Sequence, residues 1–242
     1  MSNIVRAKGN MYGWVTHMWS PGKGCSHQCS YCYAKLAAER YGRDFPDTFQ
    51  LDPHMPRLDG LKREGEDRVM FVGYTCDMWA KDVSDFTIYD ILAHCDAFPK
   101  NKYVFQSKNP ARFLHFEPLV HIYATLGTTI ETNREDVLRK LSKAPPASER
   151  AWAMGDLQEC FIKFVTIEPI MDLDIPDMVS LIKTASPDWV NIGADSKKQY
   201  LPEPNSYKVA NLIDALRTMN IEVRIKPNLK RLLPKDWPEV IK

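Results

Sequence analysis

The feature that most constrains this chain is an alternation of short apolar segments with longer amphipathic ones. The short segments are rich in β-branched and aromatic residues, a rhythm typical of βα units that assemble into a parallel sheet. The predicted strands are Tyr12–Met18, Val69–Tyr74, Lys102–Gln106, Ile122–Thr129, Phe161–Ile167, Trp189–Ile192 and Glu222–Lys226. The predicted helices are Ser30–Tyr41, Ile88–Ala97, Arg134–Ser142, Asp177–Ala185 and Tyr207–Met219. The pattern therefore indicates an α/β fold.

The organisation of the chain favours one domain. Its 242 residues contain no internal repeat, low-complexity tract or domain linker, so we expect one domain over residues 1–242. The proline segments Pro145-Pro146 and Pro202–Pro204 are predicted to be loops. Because the chain supplies fewer βα units than the eight of a closed barrel, we predict an open, partial barrel with short extensions. An open doubly wound sheet is the alternative.

Composition restricts the setting of the protein more than its substrate. Lys and Arg number 32 against 31 Asp and Glu, so global charge does not favour a nucleic acid, a membrane surface or an acidic partner. No signal peptide and no apolar run of about 20 residues is present, which predicts a cytoplasmic protein without a membrane partner. Six cysteines in a chain of this length do not resemble the disulfide framework of a small secreted domain. A reducing compartment and metal binding fit better.

A cluster of three cysteines carries the clearest chemical signal. Cys25, Cys29 and Cys32 are separated by three and two residues, on a predicted loop between a strand and a helix. Three thiolates can bind three irons of a 4Fe-4S cluster and leave the fourth open, whereas ordinary electron-transfer clusters have four cysteine ligands. The alternatives are a zinc site that includes His27, a redox pair of Cys29 and Cys32, or buried structural cysteines. Zinc sites usually add a second CxxC pair, which is absent here.

These cysteines, followed by the aromatic Tyr33, resemble the motif of the radical S-adenosylmethionine superfamily. Further similar segments are Trp19–Cys25, Gly73–Asp77, Ser107–Pro110, Thr128–Asn133 and Ile167–Asp172, which resemble a phage-associated family without an assigned reaction. That family is similar to the spore photoproduct lyases. The resemblance implies a partial (β/α)6-type barrel, a 4Fe-4S cluster and S-adenosylmethionine as cofactors, and an electron donor such as flavodoxin or ferredoxin. It also implies reductive cleavage of S-adenosylmethionine to a 5′-deoxyadenosyl radical, which abstracts hydrogen from a substrate.

The resemblance assigns cofactor contacts near the cysteines and after the second predicted strand. Gly73, Tyr74 and Thr75 lie where the superfamily binds the amino group of the methionine moiety, and a glycine permits close approach of the backbone. Tyr31, between the last two cysteines, resembles the aromatic position whose backbone helps to hold adenine.

Polar residues also follow the third and fourth predicted strands, and the carboxyl ends of parallel strands form the reactive face of barrels. Ser107 and Lys108 resemble the position that reaches the ribose or the carboxylate of the cofactor, and a lysine supplies a positive charge for the carboxylate. Thr129 and Glu131 offer contacts to ribose hydroxyls. Ordinary solvated loop residues are the alternative for each of these side chains.

The substrate and the net reaction are less constrained. Cys76 follows Thr75 and resembles a cysteine that donates hydrogen in spore photoproduct lyases, although free cysteine is often a small buried hydrophobe. The resemblance favours a nucleobase, in a nucleic acid or a nucleoside, as substrate of an isomerase, a lyase or a carbon-carbon bond-forming enzyme. A non-catalytic zinc- or cluster-binding structural module is the competing hypothesis.

Overall fold

A computed structural model describes residues 4–52, 68–120, 124–197 and 199–237. In this part of the chain the main sheet has eight strands in the order β1-β2-β5-β6-β7-β8-β9-β10. Their bounds are β1 Ile4–Arg6, β2 His17–Trp19, β5 Val69–Val72, β6 Lys102–Ser107, β7 Thr125–Thr129, β8 Ile162–Ile167, β9 Trp189–Ile192 and β10 Glu222–Ile225. β1 pairs antiparallel with β2, and the other neighbours pair in parallel. A separate antiparallel pair joins β3 Gly22–Lys23 to β4 Gln50–Leu51.

Helices connect the parallel strands. They are α1 Tyr33–Arg40, α2 Asp85–Asp96, α3 Ala111–Phe116, α4 Glu135–Leu141, α5 Ala147–Gly155, α6 Ile175–Ala185 and α7 Ser206–Thr218. Short 3-10 helices cover Glu117–Leu119 and Pro227–Leu232. Among the described helices, none has both the length and the apolar character needed to cross a membrane.

The predicted α/β partial barrel is confirmed, with differences at particular elements. The first predicted strand, Tyr12–Met18, is wrong at its start, because only His17–Trp19 pairs in the sheet. Its early aromatic residues fill the inner face of the sheet instead. Residues 122 and 123 of the fourth predicted strand lie outside the described residues. Helix α5 was not predicted, because Pro145-Pro146 reads as a loop, yet Pro146 is the N-cap of that helix and proline is tolerated at such a start.

The outer face of the sheet packs against the helices. Alternate residues such as Phe105, Leu126, Val165 and Ile192 belong to one large buried cluster with the helical side chains. Successive side chains of a strand point to opposite faces, so these residues form the helix-covered side of the sheet. This cluster is the main apolar core of the described chain.

The inner face changes character along the strands. Towards their amino ends it is apolar, where Phe71, Val104, Phe164 and Trp189 pack with Tyr12. Gly127 lacks a side chain at the point where the Phe164 ring lies, so any Cβ at residue 127 would collide with that ring. Towards the carboxyl ends the same face becomes polar, with the side chains of Gln106, Thr129, Thr166 and Asn191. The polar end of the partial barrel therefore lies on the side where the predicted site residues follow their strands.

Candidate functional site

The loop between β2 and α1 carries the three predicted iron ligands. Cys32 is the N-cap residue of α1, and its backbone N–H donates to the Cys29 carbonyl at 3.1 Å. The backbone N–H of Cys25 donates to the Pro46 carbonyl at 3.2 Å. Gly24 has a φ of +83°, and a Cβ there would collide with the Thr48 carbonyl, so glycine is required for this loop path. The loop is thus held in a specific conformation.

The carboxyl end of α4 and the residues after it form hydrogen bonds with the same loop. Leu141 accepts a hydrogen bond from the backbone N–H of Ser30 at 2.8 Å, and His27 accepts one from Lys143 at 2.7 Å. The Ser142 hydroxyl lies 3.1 Å from the Cys29 Sγ atom. A sequence segment more than a hundred residues downstream therefore positions the cysteine loop.

The three cysteines are free and lie close enough together to interact electrostatically. Burial raises the pKa of the Cys25 thiol, and the nearby Asp77 carboxylate raises it further. Burial also raises the pKa of Cys29, against the opposing charge of Lys108. Both groups are therefore neutral thiols at pH 7 in this state. Binding of a metal cation would be needed to release their protons.

The zinc alternative would use His27 as a ligand, and His27 is bonded to another side chain. Within the described ranges, which include Cys25, His27, Cys29 and Cys32, no group of three or more His, Cys, Asp or Glu side chains is arranged to hold a metal ion. A structural zinc ion needs four ligands converging on one point. The His27 Nε2 atom instead lies 2.9 Å from Asp77. An iron-sulfur cube places a different iron at each thiolate, so its ligands converge less closely, and three free cysteines on one loop fit it by number and chemistry.

Asp77 is the centre of a buried hydrogen-bond network behind the cysteine loop. Its carboxylate accepts the Ser107 hydroxyl at 2.8 Å, the Lys108 backbone N–H at 3.0 Å and the Trp79 backbone N–H at 3.0 Å. Burial opposes its ionisation, but His27 and these donors hold its pKa below the usual value. Asp77 thereby ties the ends of β5 and β6 to the cysteine loop. Ser107, a predicted cofactor contact, is engaged in this network.

Glu131 is the centre of a second buried network, at the end of β7. Its side chain is fully buried, and one carboxylate oxygen lies 3.0 Å from the Lys108 Nζ atom and accepts the Tyr31 hydroxyl at 2.7 Å. The other oxygen lies 3.0 Å from the Arg150 guanidinium, which also donates to the Thr129 carbonyl. Tyr31 and Lys108 are therefore joined through the Glu131 carboxylate, and Thr129 is linked to it through Arg150. Arg150 on α5 completes the group.

This second network carries an excess of positive charge. Burial opposes ionisation of Glu131, but Lys108 and Arg150 outweigh it and hold the pKa of the carboxyl far below its usual range. Burial would lower the pKa of Lys108, yet the Glu131 carboxylate raises it overall. Two cations thus share one carboxylate beside the cysteine loop. The Lys108 ammonium also lies 5.4 Å from the centre of the Tyr31 ring.

The remaining predicted contacts form a tight turn after β5. Gly73 has a φ of +89°, and its carbonyl accepts the backbone N–H of Cys76 at 3.3 Å. The Tyr74 carbonyl accepts the Tyr33 hydroxyl, and the Thr75 hydroxyl donates to the Gly22 carbonyl at 3.1 Å. Cys76 pairs by a β-bridge with Gly24, which places it directly beside the cysteine loop. Burial and the charge of Asp77 raise the pKa of the Cys76 thiol.

A cavity of about 420 Å³ opens beside this turn. It is lined by Tyr74 and Thr75 and by residues of β3, β4 and the loops next to them. Lys108 and Glu131 do not line it.

A third polar group occupies the far side of the barrel opening, after β8 and β10. Glu168 accepts hydrogen bonds from Lys226 at 2.6 Å, Asn10 at 2.7 Å and Asn228 at 2.8 Å. The Lys226 ammonium lies 4.8 Å from the centre of the Tyr12 ring.

Tyr12 connects this third group to the cofactor side. Its hydroxyl lies 2.8 Å from Gln106 and 2.7 Å from Thr166, and Gln106 in turn donates to the Thr129 hydroxyl at 2.9 Å. A continuous polar layer therefore crosses the opening of the barrel.

Sequence reasoning missed two residues that organise this site. Arg150 shares one face of α5 with the apolar Ala147, Ala151 and Met154, and a charged residue at helical spacing among buried ones is a detectable signal. Tyr12 was predicted only as the first residue of a strand.

Comparisons with known proteins agree with the fold. The family model described as "Protein of unknown function (DUF5131)" matches residues 10–221. No curated protein matches the chain. A cysteine-to-serine mutant of spore photoproduct lyase has 8% sequence identity and a TM-score of 0.66, covering 91% of this chain and 79% of the other. Another mutant of that enzyme, solved with bound AdoMet and dinucleoside spore photoproduct, has 10% identity and a TM-score of 0.61, covering 90% of this chain and 78% of the other. The chain thus has the partial-barrel fold of these structures.

Proposed function

Since the chain belongs to the family described as "Protein of unknown function (DUF5131)", we propose its function from the site itself. It is a radical S-adenosylmethionine enzyme in which Cys25, Cys29 and Cys32 hold a 4Fe-4S cluster. The observation that carries this proposal is the loop of three free cysteines lying beside a buried, positively charged network. When bound, the cluster would supply one electron, which splits S-adenosylmethionine into methionine and a 5′-deoxyadenosyl radical.

The chain's own residues bind and orient the cofactor. Lys108 supplies the charge for the cofactor carboxylate, and Glu131 accepts hydroxyl hydrogens of the ribose. Arg150 and Tyr31 keep Glu131 hydrogen-bonded when Lys108 turns towards the cofactor. The backbone of Gly73, Tyr74 and Thr75 receives the amino group. These assignments are supported by the placement of the groups at the carboxyl ends of β5, β6 and β7.

Other predicted contacts have supporting roles. Ser107 holds Asp77 and thereby the loop after β6, and Thr129 presents its carbonyl to Arg150 and its hydroxyl to Gln106. Tyr31 contributes its backbone near adenine. Cys76 keeps its proton, because burial raises the pKa of its thiol, so an S–H hydrogen is available beside the cysteine loop.

The proposed substrate is a nucleobase, in a nucleic acid or a nucleoside. The support is the fold shared with a lyase whose structure includes a dinucleoside spore photoproduct, together with the polar layer across the barrel opening. The proposed protein partner is an electron donor such as flavodoxin or ferredoxin, which would supply the electron for this chemistry. The phage association and the cytoplasmic location stay predictions.

The test is anaerobic reconstitution with iron and sulfide, followed by reduction with dithionite and detection of 5′-deoxyadenosine. Wild-type protein should bind about four irons per chain and form 5′-deoxyadenosine. Cys25→Ala, Cys29→Ala and Cys32→Ala should each lose the cluster absorbance and the product.

Cys95→Ala and Cys160→Ala are the matched controls, since Cys95 lies in α2 and Cys160 is exposed before β8. They should retain both readouts. Full iron content and full cleavage in Cys25→Ala would contradict the three-ligand assignment.

A further inference from the structure

The loop that follows β9 borders the candidate site. Leu201 packs against a small buried cluster of Cys29, Tyr31 and Met171, with Cys32 at its edge. The Pro202 carbonyl accepts the backbone N–H of Asp172, which follows β8. Residues 195–197 and 199–204 therefore lie at the rim of the site, and Leu201 packs beside two of the predicted iron ligands.

Two carboxylates clamp this rim loop. Asp195 accepts the backbone N–H of Lys197 at 2.8 Å and that of Gln199 at 2.5 Å. Glu203 accepts the backbone N–H of Asp195 at 2.9 Å. The Arg231 guanidinium binds both Glu203 oxygens, at 2.7 and 2.5 Å, and the Asp195 carbonyl at 2.9 Å. Asp195 and Glu203, at the base of the loop, are thus bound to Arg231 of the 3-10 helix after β10.

Tyr200, at the tip, has an unusual combination of properties. Its φ of +55° lies in the left-handed region, where a bulky side chain is an outlier, and the side chain is 95% exposed. A strained backbone persists when its surroundings enforce it, and such residues concentrate at functional sites. Fold packing explains neither the strain nor the exposed ring. Lys197, also exposed, lies on the same loop.

We infer that Tyr200 is a stacking platform for an unpaired base of a nucleic-acid strand, with Lys197 contacting an adjacent phosphate. This inference rests on the proposed function and deepens it, because it makes the substrate a base within a strand. The Tyr200 ring lies at the rim of the site, where it would contact the base next to the reacting base. A free nucleoside has no second base for it to contact. Base-aromatic stacking with basic side chains along the backbone is how proteins bind single strands, and bases inside a duplex must be extruded before chemistry.

Tyr200→Asn separates binding from folding. Asparagine tolerates the left-handed region, so the substitution removes the ring while it relieves the backbone. The melting temperature should stay equal or rise, whereas affinity for a fluorescein-labelled oligothymidylate of about 12 nucleotides should fall about 5- to 150-fold. Tyr200→Phe should retain wild-type affinity. Lys197→Ala should reduce the slope of log affinity against log salt by about 1.

Trp152→Ala is the matched control, because Trp152 is another exposed aromatic residue, on α5. Its affinity for the oligonucleotide should equal that of the wild type. Anisotropy titrations are run on protein before and after anaerobic reconstitution. No binding by the wild type, or equal affinity of Tyr200→Asn and wild type, would overturn the inference. A loss of melting temperature in Tyr200→Asn would also overturn it, by showing a structural role. None of these results depends on 5′-deoxyadenosine formation, which tests the proposed function separately.

Discussion

Glu131→Gln should be the most destabilising single change within the buried network at the end of β7. The Glu131 carboxylate is the anion shared by Lys108 and Arg150, each 3.0 Å away. The substitution therefore leaves two neighbouring positive charges without their common counter-ion. Only 2% of the Arg150 side chain is exposed, which prevents it from reaching water. Breaking a buried ion pair costs about 3–5 kcal/mol. The Lys108 side chain is 19% exposed and can turn to solvent, so we expect a loss of about 3 kcal/mol.

The assay is thermal and urea unfolding followed by circular dichroism. For a chain of this length, about 3 kcal/mol corresponds to a melting temperature lower by about 6–12 °C. The double variant Glu131→Gln with Arg150→Met should be more stable than Glu131→Gln alone, because it removes the stranded cation. Glu149→Gln, at an exposed position on α5, is the control and should change stability by about 0.5 kcal/mol or less. A loss below about 1 kcal/mol, or a double variant less stable than the single, would refute the reasoning.

Two further changes test the proposed roles of Lys108 and Cys76. Lys108→Ala should weaken S-adenosylmethionine binding by about 1.5–3 kcal/mol in calorimetry while the iron content is retained, because its proposed contact is to the cofactor. Unchanged affinity would show that Lys108 serves only the Glu131 network. Cys76→Ala should still form 5′-deoxyadenosine. Once a substrate is identified, mass spectrometry should show that the products of the variant differ from those of the wild type. An unchanged product profile together with a lower melting temperature would assign Cys76 to packing.

The strands that pair in parallel and most helices could be predicted because their pattern is local, whereas the short antiparallel strands β1, β3 and β4 were not predicted. β8 is a short run of mostly apolar and β-branched residues, and α6 has apolar residues at helical spacing, so each is visible within its own residues. The first strand failed for a tertiary reason. The rings of Tyr12 and Trp14 stack with their centroids 5.6 Å apart and pack inside the barrel. The first part of the predicted strand therefore fills the interior and does not pair in the sheet.

Members of the site could be predicted, but their connections could not. Polar residues after parallel strands are expected at one edge of the sheet, which predicted that Lys108 and Glu131 lie close together. They form an ion pair. The carboxylate that organises the cysteine loop, Asp77, was named in the sequence without a role. Its contact with His27 spans 50 residues, and that between Tyr12 and Thr166 spans 154. No local pattern encodes such pairings, because they depend on how the βα units close upon one another.

Burying the charged side chains of Lys108, Glu131 and Arg150 together opposes folding, so their presence in the site needs a reason other than stability. Replacing a buried ion network by apolar side chains of similar volume is often neutral or stabilising, so stability alone is a weak reason for Lys108, Glu131 and Arg150 to be buried together. The three charged side chains do what apolar side chains cannot: they hold a net positive charge beside Cys29 in a largely buried position. In a site of low dielectric such a charge acts strongly on any anion nearby. The proposed binding of a charged cofactor therefore gives the burial of these charges a reason that the stability of the fold alone does not supply.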